Sequence, residues 1–513
     1  MAQSAMSRVG EDVQAVGGSR SCLGISEDRR WTTGRLSVLG SLRQDPFWPT
    51  RRPLRVASSV VSGNGRPGPL PPGPRGLPVI GSWIPYYRNP YEFLRAGADK
   101  YGDVFRVPLP LHDLIVVSHP DDVSYFMDDT TGNYSMFGTT QWLFRQIGRS
   151  VPTLEGEASK ERRRMLLPMF GRRHLSRVAD TLAEEFVSRI DRWSVWTGTG
   201  QFIDLQHHIA RVTLPTFLRT MFSTSISEEE IEQIDIDIRA TMRLGATYLL
   251  LSAPPNLIPF PGVDSAPRSL LRLVMQMKRI VRRRKENPVD KPDLLSILLE
   301  ARYDDESVLS ERDLIAELIV LIAGGYETIV AALSWTLALL LRNPKHLDRL
   351  YGEVDALDGA PPGIADLPNL GWLKACFDEG QRLQGAPLNW RFAMEDDEIG
   401  GYAIPRRSVV ATSLYVVHRD PRWWGEDADL YDPMRFADPV RARSRPRLAF
   451  MPFGSGPHHC VGTGMAYMNA QFLLSIIFQR YRLSIPVGWN PQHKFAFSTV
   501  IKGGLPVKLS SLR

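Results

Sequence analysis

Three cysteines in 513 residues, Cys22, Cys376 and Cys460, are too few and too odd in number for a disulfide framework. They fit a reducing compartment, and each has to be read alone. No uninterrupted apolar run reaches the length of a membrane span. The nearest, Leu314 to Leu341, is broken by Glu317, Glu327 and Thr328. The amino terminus has no apolar stretch of the signal-peptide kind, and the expected location is cytoplasmic. No internal repeat, dinucleotide fingerprint or phosphate-binding loop is found.

The bulk of the chain also lacks an excess of charge. The formal net charge of +6 sits in residues 1–75, which hold 11 Arg, no Lys and 5 acids; the rest balances 51 basic against 51 acidic residues. With no basic stripe interleaved with aromatics, nucleic acid is excluded as a partner. What is present is ordinary for a globular protein: 43% hydrophobic residues and 12 Trp, enough for a large core. Residues 1–60 read as an Arg/Ser-rich disordered extension. Residues 61–78 read as a stiff Pro/Gly-rich connector, and 79–513 as one folded body.

Periodicity predicts a mostly helical body with short strands. Helices are expected at Tyr91–Tyr101, Arg163–Phe170, Leu175–Trp196, Glu228–Leu244, Pro344–Tyr351, Leu370–Leu383 and Gly462–Tyr481. A hairpin is expected from 104–107 and 114–117, and strands over 398–417. A loop rich in Asp, Pro and Trp is expected from His418 to Phe436. The clearest element runs from Ser310 to Arg342, capped by Ser310 with Asp313 and stopped by Asn343-Pro344. Being apolar nearly all round, it should be a buried central helix.

Phe453-Gly-Ser-Gly-Pro-His-His-Cys460-Val-Gly462 is a glycine-rich turn that opens into a helix, where amide groups favour a thiolate. A structural cysteine, or a zinc site with His458 and His459, would be the competing readings. Adjacent side chains splay apart and no further pair lies nearby, which counts against zinc. The stretch resembles the haem-binding signature of the cytochromes P-450, FxxGxxxCxG, with Phe453, Gly456, Cys460 and Gly462 in its fixed places. Three further matches follow. Ala323-Gly-Gly-Tyr-Glu-Thr328, within the long helix, resembles the family's oxygen-activation motif. Glu379-Gly-Gln-Arg382 matches ExxR, with Arg435 as its later partner. Arg163, Arg391 and His458 stand where the family holds the haem propionates. The likeness covers about residues 65–513. Ser159 departs from the His or Trp frequent at its place, and Gly385-Ala386 from a frequent Pro-Pro pair.

The resemblance implies a mainly α fold with a small β-rich lobe and haem b between the central and last helices. It implies Cys460 as iron ligand, Ala323 beside the haem, O2 as co-substrate, and Thr328 with Glu327 as proton route. It implies insertion of oxygen into a terpenoid, steroid, retinoid or fatty acid by a monomer. No reductase domain fits in the chain, so electrons are expected from a ferredoxin with its reductase or from a flavoprotein reductase. Met136, Phe137, Trp142 and Phe144 are expected to line the pocket. Residues 248–261 are expected to form a lid with peripheral membrane contact. A peroxygenase or isomerase on the same centre, or a non-catalytic haem or lipid binder, are the rival functions. Cys376 reads as a small buried hydrophobe and Cys22 as incidental.

Overall fold

A computed structural model describes residues 68–512, apart from 111, 137–146, 224–225, 252–265, 290–292, 304, 386–387 and 496–497. The expected extension at 1–60, pocket residues Phe137, Trp142 and Phe144, Ala386 and most of the 248–261 segment therefore lie outside the described residues. The elements that position the site are, in chain order, α1 (Pro90–Tyr101), β1 (Val104–Pro108), β2 (Asp113–Val117), β3 (Tyr134–Ser135), α2 (Gly156–Phe170), α3 (Arg172–Ile190), α4 (Leu205–Phe222), α5 (Glu228–Leu251), α6 (Ala266–Glu286), α7 (Glu311–Arg342), α8 (Gly371–Gln384), β4 (Asn389–Ala393), β5 (Val409–Thr412) and α9 (Thr463–Arg480).

The central helix is α7. The Ser310 hydroxyl accepts from the Asp313 amide at 3.1 Å, satisfying one of the free donors at its start. Pro344 ends it by restricting Asn343, which leaves the helical region at φ −125° and ψ 66°. It is the one described helix long and apolar enough to cross a membrane, and 72% of its apolar window is buried within the fold. It packs against α4, α6, α8 and α9. Burial of this kind, more than intrinsic propensity, holds such a helix in place.

A five-stranded sheet, ordered β1-β2-β5-β4-β3, forms the smaller lobe. Its strands are rich in β-branched residues that suit a pleated surface. β2 pairs parallel to β5, with Ile115 opposite Val410, and β5 pairs antiparallel to β4, with Val410 opposite Arg391. This register delivers Arg391 to the site.

The expected strand region over 398–417 ends early: Leu414–Val417 is a helical turn. The loop from His418 to Phe436 carries helical turns of its own at Pro421–Trp424 and Met434–Ala437. Proline, which fits the first turn of a helix, leads the first of these and caps the second. Helices α4 and α6 had no place in the sequence reading; in α4 thirteen of 18 residues are buried, and its exposed positions, His207, Arg211 and Arg219, make only a narrow stripe.

Candidate functional site

Between Asp313 and Leu341, α7 exposes only two residues, Gly324 and Thr328. They lie four apart, one above the other on a single face. A Cβ built on Gly324 would meet nothing within 4 Å. The adjacent Gly325 has the opposite surroundings: a Cβ there would lie 2.6 Å from the Phe217 ring of α4. One glycine leaves space and the other admits a neighbouring helix. Ala323, the residue of this motif expected beside the haem, is buried, so Gly324 is the small residue that meets the open space. The Thr328 hydroxyl donates to the Gly324 carbonyl at 2.6 Å. Glu327 turns aside, toward Asp235, Arg239 and Arg243 of α5. Burial pushes its carboxyl up to about 7, with Arg239 opposing the shift. One of its oxygens is buried and has no hydrogen-bond partner among the described residues.

The Cys460 loop is set by glycines. Gly454 and Gly456 take φ of 71° and 70°, where side chains are strained. A Cβ at Gly456 would also sit 2.2 Å from the Met127 carbonyl oxygen. The Cys460 amide donates to the Phe453 carbonyl at 3.0 Å, which closes the loop. The Phe453 ring packs on Tyr467 of α9, with ring centres 5.4 Å apart. Gly462 caps α9 and lies beside the Cys460 sulfur. The residue as a whole keeps exposure to solvent, although protein atoms crowd its sulfur. Burial by the surrounding loop pushes the thiol above its usual range, against the pull of the Gly462 amide, Thr463 and Arg163. A coordinated cation would remove the proton outright. No group of three His, Cys, Asp or Glu placed to hold a metal ion exists among the described residues.

Three cationic or donor groups gather beside this loop. Arg163 of α2 donates to the His459 carbonyl at 2.7 Å. Arg391 is buried, donates to the Met136 sulfur and to the Trp390 carbonyl, and meets no carboxylate in an ion pair among the described residues. Burial pulls its guanidinium down to about 10, with Asp129 and Glu155 opposing. His458 is drawn to about 4 by burial and by the nearby Arg391 and Arg163. One turn before Arg163, the buried Ser159 hydroxyl has no hydrogen-bond partner among the described residues. A buried arginine without an anion and an orphaned hydroxyl are costly unless a ligand completes them. The donor set suits haem: one sulfur for the iron, and cations with a hydroxyl for two carboxylates.

Behind the loop, Arg382 forms a two-pronged pair with Glu379, both contacts 2.7 Å, and Arg435 approaches the same carboxylate at 3.5 Å. All three are buried. Arg382 also donates to the His418, Ala428 and Leu430 carbonyls, which stitches the following loop to α8. Cys376 is buried on the same helix, as expected, and burial pushes its thiol far up. The sequence reading missed a second buried pair: Arg162 donates to Glu317 of α7 at 2.7 Å, both side chains being fully buried.

The family model described as Cytochrome P-450 matches residues 71–509. Cyclooctat-9-en-7-ol 5-monooxygenase of Streptomyces melanosporofaciens is 26% identical, over 84% of this chain and 93% of its own length. Cyclooctatin synthase of the same organism is 29% identical, over 80% and 89%. Among solved structures, cyanobacterial CYP120A1 with retinoic acid bound superposes with a TM-score of 0.77 at 23% identity, over 87% of this chain and all of that one, and so shares the fold. The chain belongs to the cytochrome P-450 family and is a haem-dependent monooxygenase.

Proposed function

We propose that the protein hydroxylates or epoxidises a terpenoid-like molecule on haem b held by Cys460. Electrons come from a separate ferredoxin or flavoprotein partner. The carrying observation is the pair Gly324 and Thr328, the only exposed residues in the interior of an otherwise buried helix. They leave room for a substrate beside a hydroxyl able to pass a proton. Relatives whose names specify oxygenation of cyclooctat-9-en-7-ol and synthesis of cyclooctatin support the substrate class.

Haem bound there supplies the iron centre at which dioxygen is activated. Phe453, Gly454 and Gly456 hold the loop that carries Cys460, whose sulfur would hold the haem iron, and Gly462 lets α9 begin close behind it. Arg163, Arg391, His458 and Ser159 hold the carboxylates, which exclude water from the buried guanidinium of Arg391. The Thr328 hydroxyl, held on the open face of α7, would supply a proton to that open space. Glu327, poised near neutrality and turned to α5, refills that hydroxyl with protons after a side-chain rotation.

The test is turnover of cyclic terpenoid alkenes and alcohols under ¹⁸O2 with a ferredoxin and its reductase. One labelled oxygen in the product is expected. Product without label, or turnover with peroxide alone, would favour the peroxygenase reading instead.

A further inference from the structure

Consecutive arginines on α2 point to opposite sides of the site. Arg162 reaches α7, donating to Glu317 at 2.7 Å, to the Arg149 carbonyl at 3.2 Å and to the Tyr303 hydroxyl. Arg163 reaches the cysteine loop, donating to the His459 carbonyl at 2.7 Å. One turn of α2 therefore touches both the helix that carries Gly324 and Thr328 and the loop that carries Cys460.

Glu317 lies on the face of α7 that matters. It precedes Gly324 by seven residues, about 20° short of two full turns, and Thr328 by eleven, about 20° past three. Its carboxylate also accepts from the Val151 amide, and Asp313, one turn earlier, accepts from the Arg149 amide at 2.8 Å. Arg312 donates to the Ile147 carbonyl at 3.0 Å. At Gly148 a Cβ would come within 2.6 Å of the Arg312 carbonyl oxygen. The lead-in to α2 is thus seated directly on the first turns of α7.

Stability is a poor reason for such a pair. A buried ion pair is often no more stabilising than well-packed apolar residues of the same volume. Here Arg162 Nε also lacks a hydrogen-bond partner among the described residues. What the pair does supply is a fixed, directional distance. We propose that Arg162 and Glu317 are positioning residues. Their pair, back to back with the Arg163–His459 contact, sets the spacing between α7 and the Cys460 loop and so the width of the haem slot. This rests on the haem-thiolate reading above.

The test compares the full-length parent with the double variant Arg162→Met, Glu317→Leu, which removes both charges together. Three readouts are taken: the unfolding midpoint, the C–O stretching band of the reduced carbon monoxide complex, and the rate of haem transfer to apomyoglobin. The expected result is unfolding at or above the parent's midpoint, a displaced or split C–O band, and haem loss about tenfold faster, in line with the roughly 10–100-fold effect of outer-shell partners on metal affinity. A band and a transfer rate matching the parent's would overturn the proposal. Should the double variant not fold, Arg162→Lys, which keeps the charge and loses the fork, is read by the same band and rate. Absence of haem from the folded parent would instead defeat the haem-thiolate reading, an outcome distinct from either.

Discussion

Glu327 has the most sensitive environment of the residues assigned here. Its carboxyl is raised to about 7 by burial, from an ordinary 4.5. The folded state therefore keeps a proton that the unfolded chain releases. The stabilising effect of that proton is full below about pH 4.5 and is lost as the pH rises through 7. Glu327→Gln removes this dependence. Thermal midpoints should show the variant gaining on the parent between pH 5 and pH 8; parallel curves would contradict the shift. The same substitution should flatten the pH dependence of product formation near neutrality. At Thr328, the hydroxyl is the functional atom, so Thr328→Val should lower the product formed per electron pair consumed, and Thr328→Ser should restore it. Equal coupling in all three proteins would remove Thr328 from the proton route. Cys460 and its loop were legible in the sequence because glycine positions and the cysteine form a fixed pattern. The direction of Glu327 was not, since a motif gives order along the chain and not the helix, α5, that a side chain turns toward.

At the scale of elements, the two glycines of α7 make opposite predictions. Gly324→Ala meets open space and gains helix propensity, so it should stabilise the apoprotein by up to about 1 kcal/mol while weakening binding of bulky substrates. Gly325→Ala drives a methyl group toward Phe217 and should cost about 1–3 kcal/mol. Denaturant unfolding of the two variants checks both signs; the same sign in each would contradict the packing described. The long helix was readable from its cap, its Asn-Pro stop and its unbroken apolar pattern. The β1–β2 hairpin was readable from its β-branched runs. Helix α4 was not, because burial over most of its surface leaves only a narrow polar stripe at His207, Arg211 and Arg219. The turn at 414–417 was not, because four residues are too few to show a period.

Across the whole molecule, Glu379, Arg382 and Arg435 tie α8 to the long segment leading to the cysteine loop. Glu379→Gln leaves two buried guanidinium groups facing a neutral amide, at a cost of about 3–5 kcal/mol. Urea unfolding of this variant should show that loss, with haem binding weakened in parallel; parent-like stability would contradict a structural role for the triad. The ExxR spacing made the first two residues visible in sequence. The Arg162–Glu317 pair, 155 residues apart, carried no local signal and needed the folded chain to appear.

The central claim is that Cys460 supplies a thiolate to haem iron. The direct measurement is the difference spectrum of the dithionite-reduced protein with and without carbon monoxide, for the parent and for Cys460→Ser. The account predicts a strongly red-shifted Soret band in the parent, from the electron density of an axial thiolate, and its loss in the variant. A band at the position of imidazole-ligated haem in the parent, or a red-shifted band that survives in Cys460→Ser, would contradict it.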